Sequence, residues 1–273
     1  MSKVESSKLR KGNPLGMRSL GPGGLYVLPP QLCSDRRREY FLRANRILGS
    51  DTTITVHSEF GKRWGEFQAQ SGKFNEATPM QLTINRRTMQ TTYRQMKEMY
   101  KKGIPQLTNY IYLMVYGNFE AFLSDLVCDG LTKQRRSNPI EETVRLMMAT
   151  KWLGKIDRIS QVFDLDLGKR VRDQPFRELY MELEGDSYTD PIEFLQKMVD
   201  VRHRLIHYSG RADSLFIKEF PKSGLSVGDL ITLPADLPYD VHFFFTLLTD
   251  VIDEAFSKKL DWPRTLVPPE QLV

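Results

Sequence analysis

The sequence predicts a mainly α-helical bundle with a small β-hairpin inserted before its last helix. Two patterns carry that expectation. Apolar residues recur at helical spacing along most of the chain past Pro79, with proline and glycine marking where those stretches end, and only the segment around Gly224 and Gly228 reads as two paired strands. A third observation sets the scale: 273 residues, 40% hydrophobic and 27% charged, suffice for a sizeable core and exclude a wholly disordered or collagenous chain.

The first element is a leader, residues 1–33. Gly12, Pro14, Gly16, Gly21, Pro22, Gly23, Gly24, Pro29 and Pro30 leave it no room for a long helix or a strand ladder, so it is expected to be flexible. Gly21–Gly24 is not followed by Gly-Lys-Ser/Thr and is no phosphate loop. Residues 1–50 hold ten Lys/Arg against three acids, a local +7, which leaves 29 − 31 = −2 for the remainder of a chain whose formal charge is +5. Such an arm suits an acidic partner such as nucleic acid, or is a solvated tail.

Residues 34–78 read as an N-terminal helical extension. Ser34 caps an arginine-rich helix through about Leu48, with Tyr40, Phe41, Ala44, Ile47 and Leu48 at helical spacing; residues 51–57 look strand-like, and a helical stretch follows through Trp64 and Phe67. The main domain, 79–262, opens with a helix over Met80–Lys102 that Gly103 and Pro105 terminate. Leu107–Leu131 is the most apolar helix. Asn138-Pro139 starts a third, running through Trp152 to Phe163. A basic loop at 164–173 and a short helix at Phe176–Glu184 lead to Asp190-Pro191-Ile192-Glu193, where an aspartate cap, a first-turn proline and a glutamate three residues on start a helix reaching Tyr208. Ser214–Phe220 and Leu230–Leu233 are the expected hairpin strands. Tyr239–Leu260 closes the domain, and 263–273 is a tail.

No apolar run approaches the ~20 residues of a membrane helix and no secretory h-region is evident, so no membrane partner is expected and the cytoplasm is the default address. Cys33 and Cys128 read as free thiols.

One position breaks its own pattern. At about 100° per residue, Ile192, Leu195, Met198, Val199, Leu205 and Ile206 form one apolar stripe on the Asp190–Tyr208 helix, and Arg202 falls near its centre, with His203 and His207 on one border. A buried guanidinium needs a partner. The candidate is Glu120, which with Asn118 is the only strongly polar side chain between Tyr110 and Leu123 on a helix otherwise apolar almost all round. Two readings stay open from this pattern. One is a structural Glu120–Arg202 ion pair with two surface histidines beside it. The other is a phosphate site, because arginine presents a planar donor fork to phosphate oxygens and histidine exchanges protons near neutral pH. A zinc helix is disfavoured: the residues between His203 and His207 include no glutamate, and Arg202 and Arg204 repel a cation. His57 and His242 stand alone, and Cys128 follows an apolar run as a core residue would.

Arg202-His203-Arg204-Leu205-Ile206-His207 resembles the Arg-polar-x-x-x-His signature of HEPN domains, an all-helical nucleotide-binding family, and the following Tyr208-Ser209-Gly210 fits the turn after it. The helix through Tyr116–Leu123 is similar to the long helix that precedes the motif helix there, and the 214–233 and 239–260 segments resemble the ending of HEPN proteins found near bacterial defence and toxin loci. The resemblance covers about 80–260. It implies a helical bundle that forms a homodimer with two Arg/His motifs facing one cleft, acting on RNA as a metal-independent endoribonuclease with no cofactor. Arg202 then stabilises the phosphate, His207 is the principal acid/base and His203 the polar helper, with Glu120, Asn118 and Tyr208 in support. An antitoxin or defence partner is implied too, although Ser209 stands where the modifiable tyrosine of antitoxin-controlled members lies, and His203 replaces the usual asparagine. A non-catalytic scaffold binding a protein or nucleotide, and a nucleic-acid binder driven by the leader and Arg36-Arg37-Arg38, are the competing expectations.

Overall fold

A computed structural model of the chain describes residues 31–268 and 271, apart from 74, 85–86, 149–150, 175–178, 182–185 and 235–236. All but the end of the expected leader lies outside the described residues. The rest is mainly helical with small antiparallel strand pairs: β1 (Gln31–Cys33), α1 (Asp35–Gln70), β2 (Pro79–Ile84), β3 (Arg87–Thr92), α2 (Tyr93–Lys133), α3 (Pro139–Met147), α4 (Trp152–Phe163), α5 (Leu167–Arg172), β4 (Leu179–Met181), β5 (Asp186–Tyr188), α6 (Pro191–His207), α7 (Ser214–Glu219), α8 (Leu237–Leu260) and β6 (Thr265–Val267).

The core forms where α2 meets α1, α6 and α8, because these helices carry the aromatic side chains. Phe119 stacks on Phe245 with centroids 4.3 Å apart, Tyr116 meets Phe245 edge-on at 5.6 Å, and Trp152 of α4 lies 5.3 Å from Phe119. Each such ring contributes about 1.5–3 kcal/mol by leaving water, so this cluster sets the positions of the helices that carry the site. Gln106–Lys133 of α2 is long and apolar enough by length and composition to cross a bilayer, which corrects the expectation that no run reaches that length. It is apolar because it is interior: Tyr112, Val115, Tyr116, Phe119, Phe122, Leu123, Leu126 and Val127 are all buried.

The start of α1 is fastened by charge. Ser34 caps α1 and donates both its backbone N–H and its hydroxyl to Asp253 of α8, while Arg264 reaches the same carboxylate at 3.0 Å. Arg37 and Arg264 share Asp250 at 2.5 and 2.7 Å, and β1 pairs with β6. Asp253 is wholly buried, so each of its oxygens needs the donors it has.

Several sequence expectations are corrected. Residues 51–57 continue α1 instead of forming a strand, since the disfavour for β-branched residues is only a few tenths of a kcal/mol each and a helix already capped at Ser34 runs through them against α2. The expected helix over 80–102 begins at Tyr93: Pro79–Ile84 and Arg87–Thr92 pair as antiparallel strands, and Thr92 with Gln95 forms a reciprocal capping box. Gly103 and Pro105 do not end a helix, because α2 runs through both. The 139–163 stretch is two helices, and the α4 start is capped from another helix, Gln196 Oε1 accepting from the Trp152 N–H at 3.0 Å. A loop was expected over 164–173, yet Asp166 caps the short α5. Leu179–Met181, within the helix expected over 176–184, is instead a strand that pairs with Asp186–Tyr188. Ser214–Glu219, the first strand of the expected hairpin, is the helix α7, capped by Asp213, and among the described residues a single bridge between Arg211 and Leu230 takes the place of that hairpin.

Candidate functional site

Asp190 begins α6 as the sequence requires, accepting from the Ile192 N–H at 2.8 Å, and Ser209 and Gly210 end it with positive φ values of 53° and 68°. Tyr208 lies at its C-terminal cap. Such an end concentrates unpaired carbonyls and favours cations nearby.

Within α6 the buried face turns as the helix proceeds. Ile192 and Leu195 face the core near the start, but from Met198 onward Val201, Arg204 and Leu205 are covered, because α7 packs against that side. Arg202 therefore lies at the edge and not at the centre of the buried stripe, with 31% of its side chain exposed; Ile206, expected in the stripe, is exposed. The buried guanidinium is Arg204. Its side chain is 6% exposed, with Asp213 at 3.2 Å, Glu219 at 3.7 Å and the Tyr208 ring 5.1 Å beneath its central carbon. Burial, reinforced by Asp200, holds the Glu219 carboxyl above the usual carboxylate range. Burial raises Asp200 as well, against a hydrogen bond from Gln196. Sequence reading missed this cluster; the signal was the Asp213 cap, which places an acid beside the end of α6.

Arg202 is paired as expected. Its Nη2 lies 2.9 Å from Glu120 Oε2, and its guanidinium rests over the Tyr116 ring, 5.3 Å from the centroid. A second cation joins from α4, with Lys155 Nζ 3.6 Å from Glu120 Oε1 and 4.6 Å above the Trp152 ring. The two rings are joined, since Trp152 Nε1 donates to the Tyr116 hydroxyl at 2.6 Å. Desolvation lowers the Lys155 pKa, with Glu120 opposing that shift and Arg202 adding to it. Lys155 and Tyr116 carried no sequence signal of their own, because only the crossing of α4, α2 and α6 brings them to Arg202.

His203 and His207, one turn apart, place their rings 4.5 Å from each other, and the Tyr208 ring lies 5.9 Å from His203. Desolvation first and the neighbouring His207 second hold the His203 pKa below the usual imidazole range. Arg202 and His207, five residues apart, point about 140° from one another around the helix, so one chain presents the guanidinium on one edge and the imidazole pair on another.

Asn118 does not join this group. It lies on the opposite side of α2, buried, donating to the Tyr40 carbonyl at 3.0 Å, and so fixes α1 to α2. His242 is buried beside Tyr40, its Nδ1 3.2 Å from the Tyr40 hydroxyl, which makes it a core residue. The side chain of His57 lies outside the described residues. Among the described residues no three His, Cys, Asp or Glu side chains gather as a metal would require. In comparisons with protein families, curated proteins and solved structures, nothing matches this chain.

Proposed function

We propose that the chain is a metal-independent endoribonuclease of the HEPN type, with its site completed by a second copy of the chain. The observation that carries this reading is that the last turns of α6 present a part-exposed guanidinium on one edge and an imidazole pair, its rings 4.5 Å apart, on another. In RNA transesterification the 2′-hydroxyl loses its proton to an imidazole, its oxygen attacks phosphorus, the bond to the 5′-oxygen breaks, and that oxygen takes a proton. The products are a 2′,3′-cyclic phosphate and a 5′-hydroxyl. His207 exchanges these protons, His203 supports it as the imidazole held toward its neutral form, and Arg202 balances charge on the phosphorane. Because Arg202 and His207 diverge on one helix, a second subunit bringing its own α6 end opposite supplies the missing juxtaposition. A toxin or defence effector is the class of protein this activity suits.

One observation favours a second reading, a non-catalytic scaffold: Arg202 already has a carboxylate at 2.9 Å and a ring beneath it. Cleavage of a broad RNA panel by the purified protein in EDTA separates the two. Arg202→Ala and His207→Ala each lower cleavage at least about a hundredfold if the groups act in chemistry. Full activity in either variant, or none in the wild type, overturns the nuclease reading. Light scattering tests the second copy.

A further inference from the structure

Glu120 stands between two cations, and that arrangement bears on how Arg202 becomes available to a phosphate. The carboxylate is 23% exposed, Lys155 12% and Arg202 31%, so of the three groups the guanidinium is the one nearest solvent. Two cations and one carboxylate leave one positive charge in excess. If Arg202 turned to an incoming phosphodiester with no other cation nearby, Glu120 would remain largely buried and unpaired, which opposes the movement. Lys155 removes that obstacle. It lies 3.6 Å from the carboxylate oxygen that Arg202 does not hold, and it is anchored over Trp152, whose N–H is bonded to the Tyr116 hydroxyl.

We propose that Lys155 is a positioning residue: Glu120 passes from Arg202 to Lys155 as a phosphodiester engages Arg202, so the resting ion pair is a guard that substrate opens. The proposal rests on the nuclease reading for the identity of the anion. In it Lys155 touches no reacting atom and acts by keeping Glu120 paired.

The test uses the full chain and a fluorescent 2′-O-methyl RNA 12-mer, which cannot be cleaved, with cleavage of the corresponding ribo-oligomer measured in parallel. Lys155→Met is expected to weaken binding of the 12-mer about tenfold and to raise KM more than it lowers kcat. Glu120→Gln added to Lys155→Met should restore affinity to within about threefold of the Glu120→Gln single variant, since a neutral amide no longer retains Arg202. Lys155→Arg should keep near-wild-type affinity. Melting temperatures of all variants verify that the fold is kept. Binding by Lys155→Met within threefold of wild type overturns the exchange, as does a loss that Glu120→Gln leaves in place. Cleavage that ignores Lys155 removes the exchange and leaves the nuclease reading standing. Lys155-dependent binding by a protein that cleaves no RNA removes the nuclease reading and leaves the exchange. A wild type that neither binds nor cleaves removes both.

Discussion

Replacing Arg202 by alanine separates a structural guanidinium from a catalytic one, because the two roles differ in magnitude. Its loss removes the 2.9 Å pair with Glu120 and the contact 5.3 Å above Tyr116. Breaking a fully buried pair costs about 3–5 kcal/mol and an exposed one about 0–1. Arg202 is about one-third exposed, and Glu120 keeps Lys155 at 3.6 Å, which places the ionic part near 1 kcal/mol by those limits. The ring contact adds about 0.5–1 kcal/mol. A total near 2 kcal/mol corresponds to a melting temperature about 4–8 °C lower for a chain of this size. Catalytic loss is larger: about 10²–10⁴ in rate, equivalent to about 3–5 kcal/mol in the barrier. Scanning calorimetry and an RNA cleavage assay run well below both transitions read the two effects independently. A melting temperature within about 1 °C of wild type would show that Arg202 contributes no such stability. Cleavage within about fivefold of wild type refutes the catalytic part.

Other expectations follow from the same geometry. Burial lowers the His242 pKa from 6.5 to about 4, so the unfolded chain takes up its proton first; stability is unaffected by this group above pH 6.5 and falls by about 3 kcal/mol as pH drops from 6.5 to about 4. Urea unfolding at pH 7 and pH 4.5 should therefore give a smaller difference for His242→Leu than for the wild type. Two glycines of α2 should respond oppositely to alanine. A Cβ at Gly130 meets the buried Phe163 ring at 2.6 Å and Leu260 at 3.2 Å, so Gly130→Ala should destabilise by about 1–3 kcal/mol. Gly117→Ala meets nothing within 4 Å and should stabilise by about 0.5–1 kcal/mol through helix propensity, with thermal melts giving both signs. Arg204→Ala, which removes a side chain only 6% exposed from beside the part-buried Asp213 and Glu219, should lower the melting temperature more than Arg202→Ala does; the reverse order would overturn the assignment of Arg204 as the buried guanidinium of α6.

The mainly helical class, the helix starts at Ser34, Asn138 and Asp190, the span of α6 and the pairing of Arg202 with Glu120 are all legible in the order of the residues. These are local or near-local matters: a cap is one side chain bonding a nearby N–H, and an acid on an otherwise apolar helix announces its need for a cation wherever that cation lies. Which arginine of α6 is buried depends instead on how the helices pack. Helical periodicity assumes one fixed buried face, whereas α7 covers the far side of the last turns and brings Arg204 inside while leaving Arg202 at the rim. Likewise α2 runs through Gly103 and Pro105, against their propensities, and the placement of Lys155 beside Glu120 depends on a crossing of helices that no single segment encodes. Local free energies of a kcal/mol or so per residue set the elements, and the larger sum of buried surface set which side of each element faces which neighbour.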